Sequence, residues 1–315
     1  MKKYAIVLLA LALLCSAGTA MAQAVDVGYA VTDTTNPFIG WLTSSVKEMA
    51  EADNISVQIA DAGGDVATQI SQIENFIAMK VKVLVVMAVD PHSVTEVLQR
   101  AMDEGINVVV AGGDTGAYTV MMNTDQYKWG RAVSAMAIEW AEKNLSDVKK
   151  PKVIVIKCTE TPESTARSQG IVDGLTESGK FDVVVATGET MVASEAMTII
   201  ENMWQQNSDA SMILTYNADA AVGVNEYLMG LTGIDLDKIA IFTADTSDEI
   251  VEMINNSAKG ESVLRGTTKI AGPTIDGVAY PLPEGTYKII KAFIDGEYDF
   301  GSSIVDAIAP VWPAE

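Results

Sequence analysis

The sequence predicts an α/β fold made of two doubly wound, mostly parallel sheets. Short apolar runs alternate with segments of helical periodicity, which is the pattern of repeated βα units. The continuous apolar run Val83–Val89, rich in β-branched residues, is typical of a strand buried on both faces of a parallel sheet. Two blocks of βα units of similar size lie on either side of about residue 125. Right-handed crossovers would give each block a sheet with helices on both faces.

The first block holds four predicted strands, and helical periodicity follows three of them. The strands are expected at Val27–Val31, Val57–Ala60, Val83–Val89 and Ile106–Ala111, with helices from about Phe38, Val66 and Val94. Asn36 has the chemistry of an N-cap, and Pro37 suits the first helical position, where a missing N–H costs nothing. The segment 32–41 therefore reads as a polar loop that leads from a strand into a helix.

The second block repeats the alternation after a pause at residues 120–125. Its expected helices are Tyr127–Lys143, Thr165–Ser178, Ala193–Gln206, Ala218–Leu231 and Ser247–Asn256, and its expected strands are Val153–Ile156, Val183–Ala186, Ser211–Thr215 and Ile239–Thr243. After Leu264 glycine and proline interrupt the pattern, and we interpret this stretch as a return across both domains that includes a helix at Tyr287–Ile294. The chain would cross between domains near residues 124–126, 246–248 and 266–271, forming a hinge.

The first 22 residues have the features of a signal peptide. Lys2 and Lys3 precede the apolar run Ile6–Leu14, and Ala20-Met21-Ala22 offers a cleavage site before Gln23. No later stretch approaches the ~20 apolar residues of a membrane-spanning helix. We therefore expect an exported protein whose leader is cleaved and which carries no membrane anchor. Its N-terminal domain would comprise residues 23–125 plus 271–300, and its C-terminal domain 126–270 plus 301–315.

Composition excludes several classes of function. The net charge of −21 opposes binding to nucleic acid and to anionic membranes. After removal of the leader Cys158 is the only cysteine, and His92 is the only histidine, so we expect no disulfide and no metal site. No nucleophile–histidine–acid arrangement is evident around the single histidine, and no glycine-rich nucleotide motif is present, so we expect neither an enzyme nor a cofactor.

Polar loops follow most of the predicted strands. Open α/β sheets bind ligands at the carboxyl ends of their strands. The loops expected there are Thr32–Asn36, Asp61–Asp65, Asp90, Gly112–Thr115, Cys158–Arg167, Thr190–Met191, Asn217 and Asp245. Their carboxylates, hydroxyls, amides and single arginine can donate to and accept from several hydroxyl groups, which favours a polyol ligand.

Four motifs, in their order and spacing, resemble the ribose-binding type of periplasmic sugar-binding proteins, the type I receptors of ABC importers. They are Asn36-Pro37-Phe38, Thr165-Ala166-Arg167-Ser168-Gln169-Gly170, Tyr216-Asn217-Ala218-Asp219 and Phe242-Thr243-Ala244-Asp245. The resemblance covers essentially the whole mature chain. It implies two Rossmann-like domains joined by a three-crossing hinge, with a small sugar or polyol held in the cleft between them.

The resemblance also implies roles for individual residues. Asn36 would bind a hydroxyl group and Phe38 would form an apolar wall. Arg167 would donate to sugar oxygens, Asn217 would contribute its amide, and Asp245 would accept from two hydroxyls. The remaining expected ligand-binding residues are Thr32, Asp33, Trp41, Asp114, Met191 and Lys269.

Departures from the family pattern leave the sugar unnamed. The family often has Asp-Arg after the fourth strand, whereas here Asp114 has no arginine beside it. Ile39 replaces a second aromatic residue, and Met191 replaces another, so Trp41, Tyr118 or Tyr216 would have to supply a wall.

Several of these residues also have a purely structural interpretation. Asn36, Asn217 and Asp245 suit helix caps, and Asp114 suits a solvated turn. Trp41 suits a core position, and Arg167 a surface salt bridge.

A binding protein that delivers its ligand to ABC permease subunits is the leading functional hypothesis. The expected protein is a monomer with a small sugar or polyol as ligand. A binding protein coupled to a chemoreceptor or sensor is the alternative, and a carbohydrate-acting enzyme is a third. A sugar-responsive transcription regulator shares the fold, but the leader peptide and the absence of a basic helix-turn-helix argue against it.

Overall fold

The computed structural model describes residues 24–189 and 192–314, and their contacts divide this part of the chain into two compact units. Unit 1 contains residues 24–121 and 287–299, and unit 2 contains residues 122–286 and 300–314. Residues 271–286, which the sequence analysis assigns to the first domain, group with unit 2. The boundaries of the functional domains stay a prediction.

Unit 1 is a parallel sheet with helices between its strands. The strands are β1 (Val27–Val31), β2 (Val57–Asp61), β3 (Val83–Val86) and β4 (Asn107–Ala111), and the helices are α1 (Pro37–Ala52), α2 (Val66–Met79) and α3 (Thr95–Asp103). The strand order is β2-β1-β3-β4, and every pair is parallel. This order is doubly wound, and it brings the loops that follow the strands to one edge of the sheet.

A core cluster of unit 1 forms where α2 and α3 pack on the sheet. All residues of β1 and β3 are buried, as expected for strands covered on both faces. Phe76 of α2 lies against Gly28, where an added Cβ would come within 2.6 Å of the Phe76 ring. Gly28 is therefore required for the helix to approach the strand closely.

Unit 2 is a larger sheet of the same kind whose last strands pair in antiparallel fashion. Its strands are β6 (Lys152–Cys158), β7 (Asp182–Gly188), β8 (Ala210–Thr215), β9 (Ala240–Ala244), β10 (Leu264–Ile275), β11 (Val278–Ala279) and β12 (Ser303–Val311), while β5 (Val120–Asn123) spans the boundary between the units. The order is β7-β6-β8-β9-β10-β12, parallel up to β10 and antiparallel between β10 and β12.

The helices of unit 2 cover both faces of its sheet. They are α4 (Gln126–Asn144), α5 (Pro162–Ser178), α6 (Ala193–Trp204), α7 (Ala218–Met229) and α8 (Asp248–Asn256), and α9 (Leu282–Asp295) continues into unit 1. The side chains of α4 and α5 form one core cluster with the sheet, and those of α6, α7 and α8 form another.

Helices α4 and α5 cross unusually closely at two glycines. A Cβ added to Gly130 would lie 1.9 Å from the carbonyl oxygen of Arg167, and one added to Gly170 would lie 2.1 Å from that of Tyr127. No larger residue fits at either position without separating the helices. This crossing brings Arg167 of α5 against the first turn of α4.

The mostly parallel α/β fold confirms the predicted fold class. Two strands were not predicted from the sequence: the stretch after Leu264 contains the long strand β10, and β12 follows α9 near the end of the chain. Both strands contain residues that ordinarily weaken or exclude central strands. These are Gly272 and Pro273 in β10 and Pro310 in β12, and they are the reason why the sequence does not predict either strand. The pairing of β10 with β12 contains an irregularity between Ile270 and Gly272, which accommodates these residues.

Within residues 24–189 and 192–314, no helix is long and apolar enough to cross a membrane. The predicted signal peptide lies outside the described residues.

Candidate functional site

Arg167 is the centre of a polar cluster within unit 2. It lies in the second turn of α5, whose first turn is fixed by reciprocal hydrogen bonds between Thr161 and Ser164. Only 5% of Arg167 is exposed, so a surface salt bridge is the wrong interpretation of this residue. A buried cation is costly unless it is paired and hydrogen-bonded, and the cluster supplies both kinds of partner.

Two side chains accept hydrogen bonds from the guanidinium of Arg167. Oε1 of Gln126 accepts from Nε at 2.8 Å and from Nη2 at 2.6 Å. Oδ2 of Asp245 accepts from Nη1 at 2.8 Å and forms a salt bridge. Three of the five N–H groups of Arg167 donate to these two residues, and the other two can donate to a ligand.

Two aromatic rings complete the surroundings of the guanidinium. Its Cζ atom lies 3.8 Å from the ring centroid of Trp129 and 4.7 Å from that of Tyr216, which are cation–π distances. Nε1 of Trp129 donates to Oγ1 of Thr268 at 2.8 Å, which fixes the indole. Burial raises the pKa of Tyr216, so its phenol is neutral at pH 7. We call Gln126, Trp129, Arg167, Tyr216 and Asp245 the arginine cluster.

Asp245 is held in an unusual backbone conformation. Its φ of +69° lies in the left-handed region, which non-glycine residues seldom adopt. Its carbonyl oxygen accepts a hydrogen bond of 2.5 Å from the Thr267 hydroxyl, which stabilises this conformation. Partial burial raises the pKa of Asp245, and the adjacent Arg167 opposes that effect. With 41% of its side chain exposed, the Asp245 carboxylate can still accept from a ligand.

Asn217 caps α7 at the carboxyl end of β8. Its Oδ1 accepts from the backbone N–H of Ala220 at 3.1 Å, which is the hydrogen bond expected of a helix N-cap. Its carbonyl oxygen accepts from Oγ1 of Thr243 at 2.6 Å, and Thr243 accepts from Thr215 at 2.8 Å. This buried chain of hydroxyl groups fixes the position of Asn217 relative to β8 and β9.

The predicted residues of unit 1 take local structural roles. Oδ1 of Asn36 accepts from the N–H groups of Phe38 and Ile39, so Asn36 caps α1. Oδ1 of Asp33 accepts from the N–H and hydroxyl groups of Thr35, and the carbonyl of Thr32 accepts from the N–H of Gly64. These interactions determine the shape of the loop that leads from β1 into α1.

Phe38 and Trp41 form an exposed aromatic pair at the start of α1. They are 47% and 51% exposed, and their ring centroids lie 6.0 Å apart. The core interpretation of Trp41 is therefore wrong. An exposed pair of large rings on one helix face is a surface that suits an apolar partner group.

The remaining predicted residues belong neither to the arginine cluster nor to the loop and aromatic pair at the start of α1. Oδ1 of Asp114 accepts from the N–H of Gly116, as in an ordinary turn. Lys269 is exposed on β10 opposite Ala309 of β12. Met191 lies outside the described residues. Whether any of the predicted residues contacts a ligand stays a prediction.

Gln126 and Trp129 are not among the residues predicted from the sequence. Both lie in the first turn of α4, where the sequence predicts a pause at residues 120–125 and then a helix from Tyr127. Their spacing of three residues places them on one helix face, which was a usable signal. Their partner Arg167 is distant in sequence, however, and only the crossing of α4 and α5 brings the three together.

The cluster can hold a polar, oxygen-rich molecule. Arg167 offers N–H groups, Asp245 offers a carboxylate, and Trp129 and Tyr216 keep the guanidinium in place. Across residues 24–189 and 192–314, no group of histidine, cysteine and acidic side chains is arranged to hold a metal ion. These groups have the hydrogen-bonding chemistry that a small polar ligand would need.

Comparison with known proteins defines the class. The periplasmic binding protein domain matches residues 27–271, so the chain belongs to the periplasmic binding protein family. The chain is similar to the ABC transporter periplasmic-binding protein YphF of Escherichia coli, with 24% identity over 86% of this chain and 82% of that protein. It is also similar to the putative rhizopine-binding protein of Rhizobium meliloti, with 25% identity over 94% of this chain and 96% of that protein.

A solved structure has the same fold. The periplasmic ribose ABC transporter protein from Conexibacter woesei superposes with a TM-score of 0.73 over 94% of each chain, at 17% identity. The match to the family model over residues 27–271 confirms the family expected from the sequence motifs. The relatives are named as binding proteins, and this chain is a binding protein rather than an enzyme.

Proposed function

We propose that this protein binds a small sugar or polyol through the arginine cluster and delivers it to the permease of an ABC importer. The observation that carries the proposal is the buried Arg167, held by Gln126 and Asp245 between polar and aromatic neighbours. The names of the relatives, an ABC transporter binding protein and a rhizopine-binding protein, support a transport role.

A polyol suits this cluster because each hydroxyl group both donates and accepts. The two remaining N–H groups of Arg167 would donate to ligand oxygens, and the Asp245 carboxylate would accept from ligand hydroxyls. Charged groups that make several hydrogen bonds discriminate against analogues that lack the matching hydroxyls, because those analogues leave buried polar groups unpaired. Arg167 and Asp245 neutralise each other, so the cluster has no net charge with which to attract an ionic ligand.

The proposal also assigns ligand contacts to residues of unit 1. The exposed rings of Phe38 and Trp41 would pack on the C–H groups of the ligand, and Asn36, Asp33, Thr32 and Asp114 would contribute polar groups. Asn217, Met191 and Lys269 would also contribute polar or apolar contacts.

Three further expectations stay predictions of the sequence. They are that the ligand lies between the two domains, that the protein is a monomer, and that residues 1–22 are cleaved on export to the periplasm. A chemoreceptor or sensor is the second candidate partner.

A thermal-shift screen with D-ribose, D-xylose, D-allose, myo-inositol and glycerol tests the proposal. A bound ligand at a hundredfold excess over its Kd stabilises the folded state by about 2.7 kcal/mol, which raises Tm by several degrees. Arg167→Lys keeps the charge but loses the planar set of donors, so the ligand-induced shift should disappear.

Arg131→Lys is the matched control. Arg131 is on α4, where it pairs with Glu177 at the surface, so this substitution should leave the shift intact. A full ligand-induced shift in the Arg167→Lys variant would show that the binding site lies elsewhere.

A further inference from the structure

Gln126 makes the closest hydrogen bond to Arg167. Its single oxygen accepts from two adjacent N–H groups, Nε at 2.8 Å and Nη2 at 2.6 Å. Those two donors form one edge of the planar guanidinium, so one acceptor bound to both restricts rotation about the last bonds of the arginine side chain. Asp245 binds at Nη1, and the two contacts together determine the direction of the remaining N–H groups.

The backbone of Gln126 is itself firmly held. It is the first residue of α4, and Oδ1 of the N-cap Asp125 accepts from the N–H of Lys128 at 2.9 Å. The N–H of Trp129 donates to the carbonyl oxygen of Asp125 at 2.8 Å, and the Trp129 indole is bonded to Thr268. The backbone of Gln126 is therefore fixed at the start of α4. Its side-chain oxygen can accordingly hold the guanidinium of Arg167 in one orientation.

The amide of Gln126 is also electrically neutral. A carboxylate at this position would accept the same two hydrogen bonds but would give the guanidinium two negative partners. With glutamine, Asp245 is the one carboxylate among the described residues that forms a salt bridge with Arg167. Both groups of that ion pair then remain available to hydroxyls of the ligand, and Gln126 adds no negative charge beside them.

We propose that Gln126 is a positioning residue, which orients the guanidinium of Arg167 for a ligand that it does not itself need to touch. The role in binding rests on the proposed function, whereas the orientation of Arg167 is a property of the free protein. The two can therefore be tested separately. Without Gln126 the buried guanidinium would keep Asp245 but would rotate among several orientations.

The sequence contains only four arginines, Arg100, Arg131, Arg167 and Arg265, so arginine labelled with ¹⁵N at Nε gives a simple spectrum. The signal that Arg167→Lys removes identifies Arg167. In the free wild-type protein its Nε–H should exchange slowly with water. Gln126→Ala should accelerate that exchange about ten- to hundredfold, since a hydrogen bond to a charged group is lost.

Gln126→Glu restores the acceptor oxygen, so it should bring the Nε–H exchange rate back toward the wild-type value. Gln206→Ala, on the exposed segment after α6, is the matched control and should leave the signal unchanged. Urea unfolding of each variant shows whether the fold is kept. If Gln126→Ala leaves the exchange of the Arg167 Nε–H unchanged, or if Gln126→Glu fails to slow it, the proposal is overturned.

Titration calorimetry with the five sugars and polyols of the thermal-shift screen provides the second readout. For any compound that binds the wild type, Gln126→Ala should weaken binding by about ten- to hundredfold. Unchanged affinity despite accelerated Nε–H exchange would overturn the positioning role. If none of the five binds the wild type, the proposed function fails for them, and the exchange experiment alone decides whether Gln126 orients Arg167.

Discussion

Asp306 is a single carboxyl group whose chemistry is changed by burial. It lies on β12 opposite Pro273, and its Oδ2 accepts from the Thr124 hydroxyl at 2.8 Å. Its Oδ1 is buried, and no donor among the described residues bonds to it. Burial raises the pKa of Asp306 from 3.8 to about 6, although the Thr124 hydroxyl opposes the shift. The folded protein therefore binds a proton here more tightly than the unfolded chain does.

Asp306→Asn should stabilise the protein at pH 7 but not at pH 4. The Asp306 contribution to folding is most favourable below the unfolded pKa, declines as pH rises to about 6, and is constant above that. A difference of about two pKa units corresponds to a cost of up to about 3 kcal/mol at neutral pH, which asparagine avoids. Urea unfolding of the wild type and the variant at several pH values measures the difference.

Asp299→Asn, at an exposed position, is the control for the loss of one negative charge. It should show no such dependence on pH. Equal stability of Asp306→Asn and the wild type at pH 7 would mean that the Asp306 carboxyl group is adequately solvated in the folded state.

At the scale of elements, the arginine cluster depends on the close crossing of α4 and α5. Gly130→Ala would place a Cβ 1.9 Å from the carbonyl oxygen of Arg167, so the helices must separate. Overpacking of this kind costs about 1–3 kcal/mol. The displacement should also break the contacts of Gln126 and Trp129 with Arg167, so both the unfolding free energy and the ligand-induced thermal shift should fall.

Gly230→Ala is the matched control for that substitution. Gly230 follows α7 with φ near −78°, and the nearest atoms to an added Cβ lie at 3.4 and 3.5 Å, which is ordinary contact. Stability should stay the same or rise by about 0.5 kcal/mol, because alanine restricts the unfolded chain. If Gly130→Ala were as stable as Gly230→Ala, the crossing would be less tightly packed than the structure indicates.

The same crossing explains which parts of the site could be predicted. Periodicity and capping residues are local signals, so the βα units and the caps at Asn36 and Asn217 were accessible from the sequence. The family motifs pointed to Arg167 and Asp245. The approach of Gln126 and Trp129 to Arg167 depends on Gly130 and Gly170 together, which is a packing relation that no single segment contains.

Strand β10 was missed for a different reason. Gly272 and Pro273 are local signals against a strand, and here the tertiary structure overrides them. Residues 264–268 pair with β9 on one side, and residues 267–273 pair with β12 on the other. Two partners supply hydrogen bonds that outweigh the weak intrinsic preference, as is usual for β-structure.

At the scale of the whole molecule, net charge is the dominant electrostatic feature. The chain carries 42 acidic and 21 basic residues, a formal charge of −21. The ion pairs among the residues that the structure describes lie mostly at the surface. Examples are the pairs of Lys143 with Glu139 and of Arg100 with Glu74. Each exposed pair contributes only about 0–1 kcal/mol, so repulsion among the many unpaired carboxylates should outweigh them.

Stability should therefore rise with ionic strength. Between about 10 and 150 mM NaCl the screening length falls from ~30 Å to ~8 Å, which weakens repulsion between distant carboxylates more than attraction within close pairs. Tm should rise over this range, and it should rise equally with KCl, because the effect depends on ionic strength rather than on the cation. Sucrose at equal osmolality separates screening from general solute effects. A Tm that falls as NaCl is added would mean that the ion pairs, and not the excess negative charge, control the electrostatic part of the folding free energy.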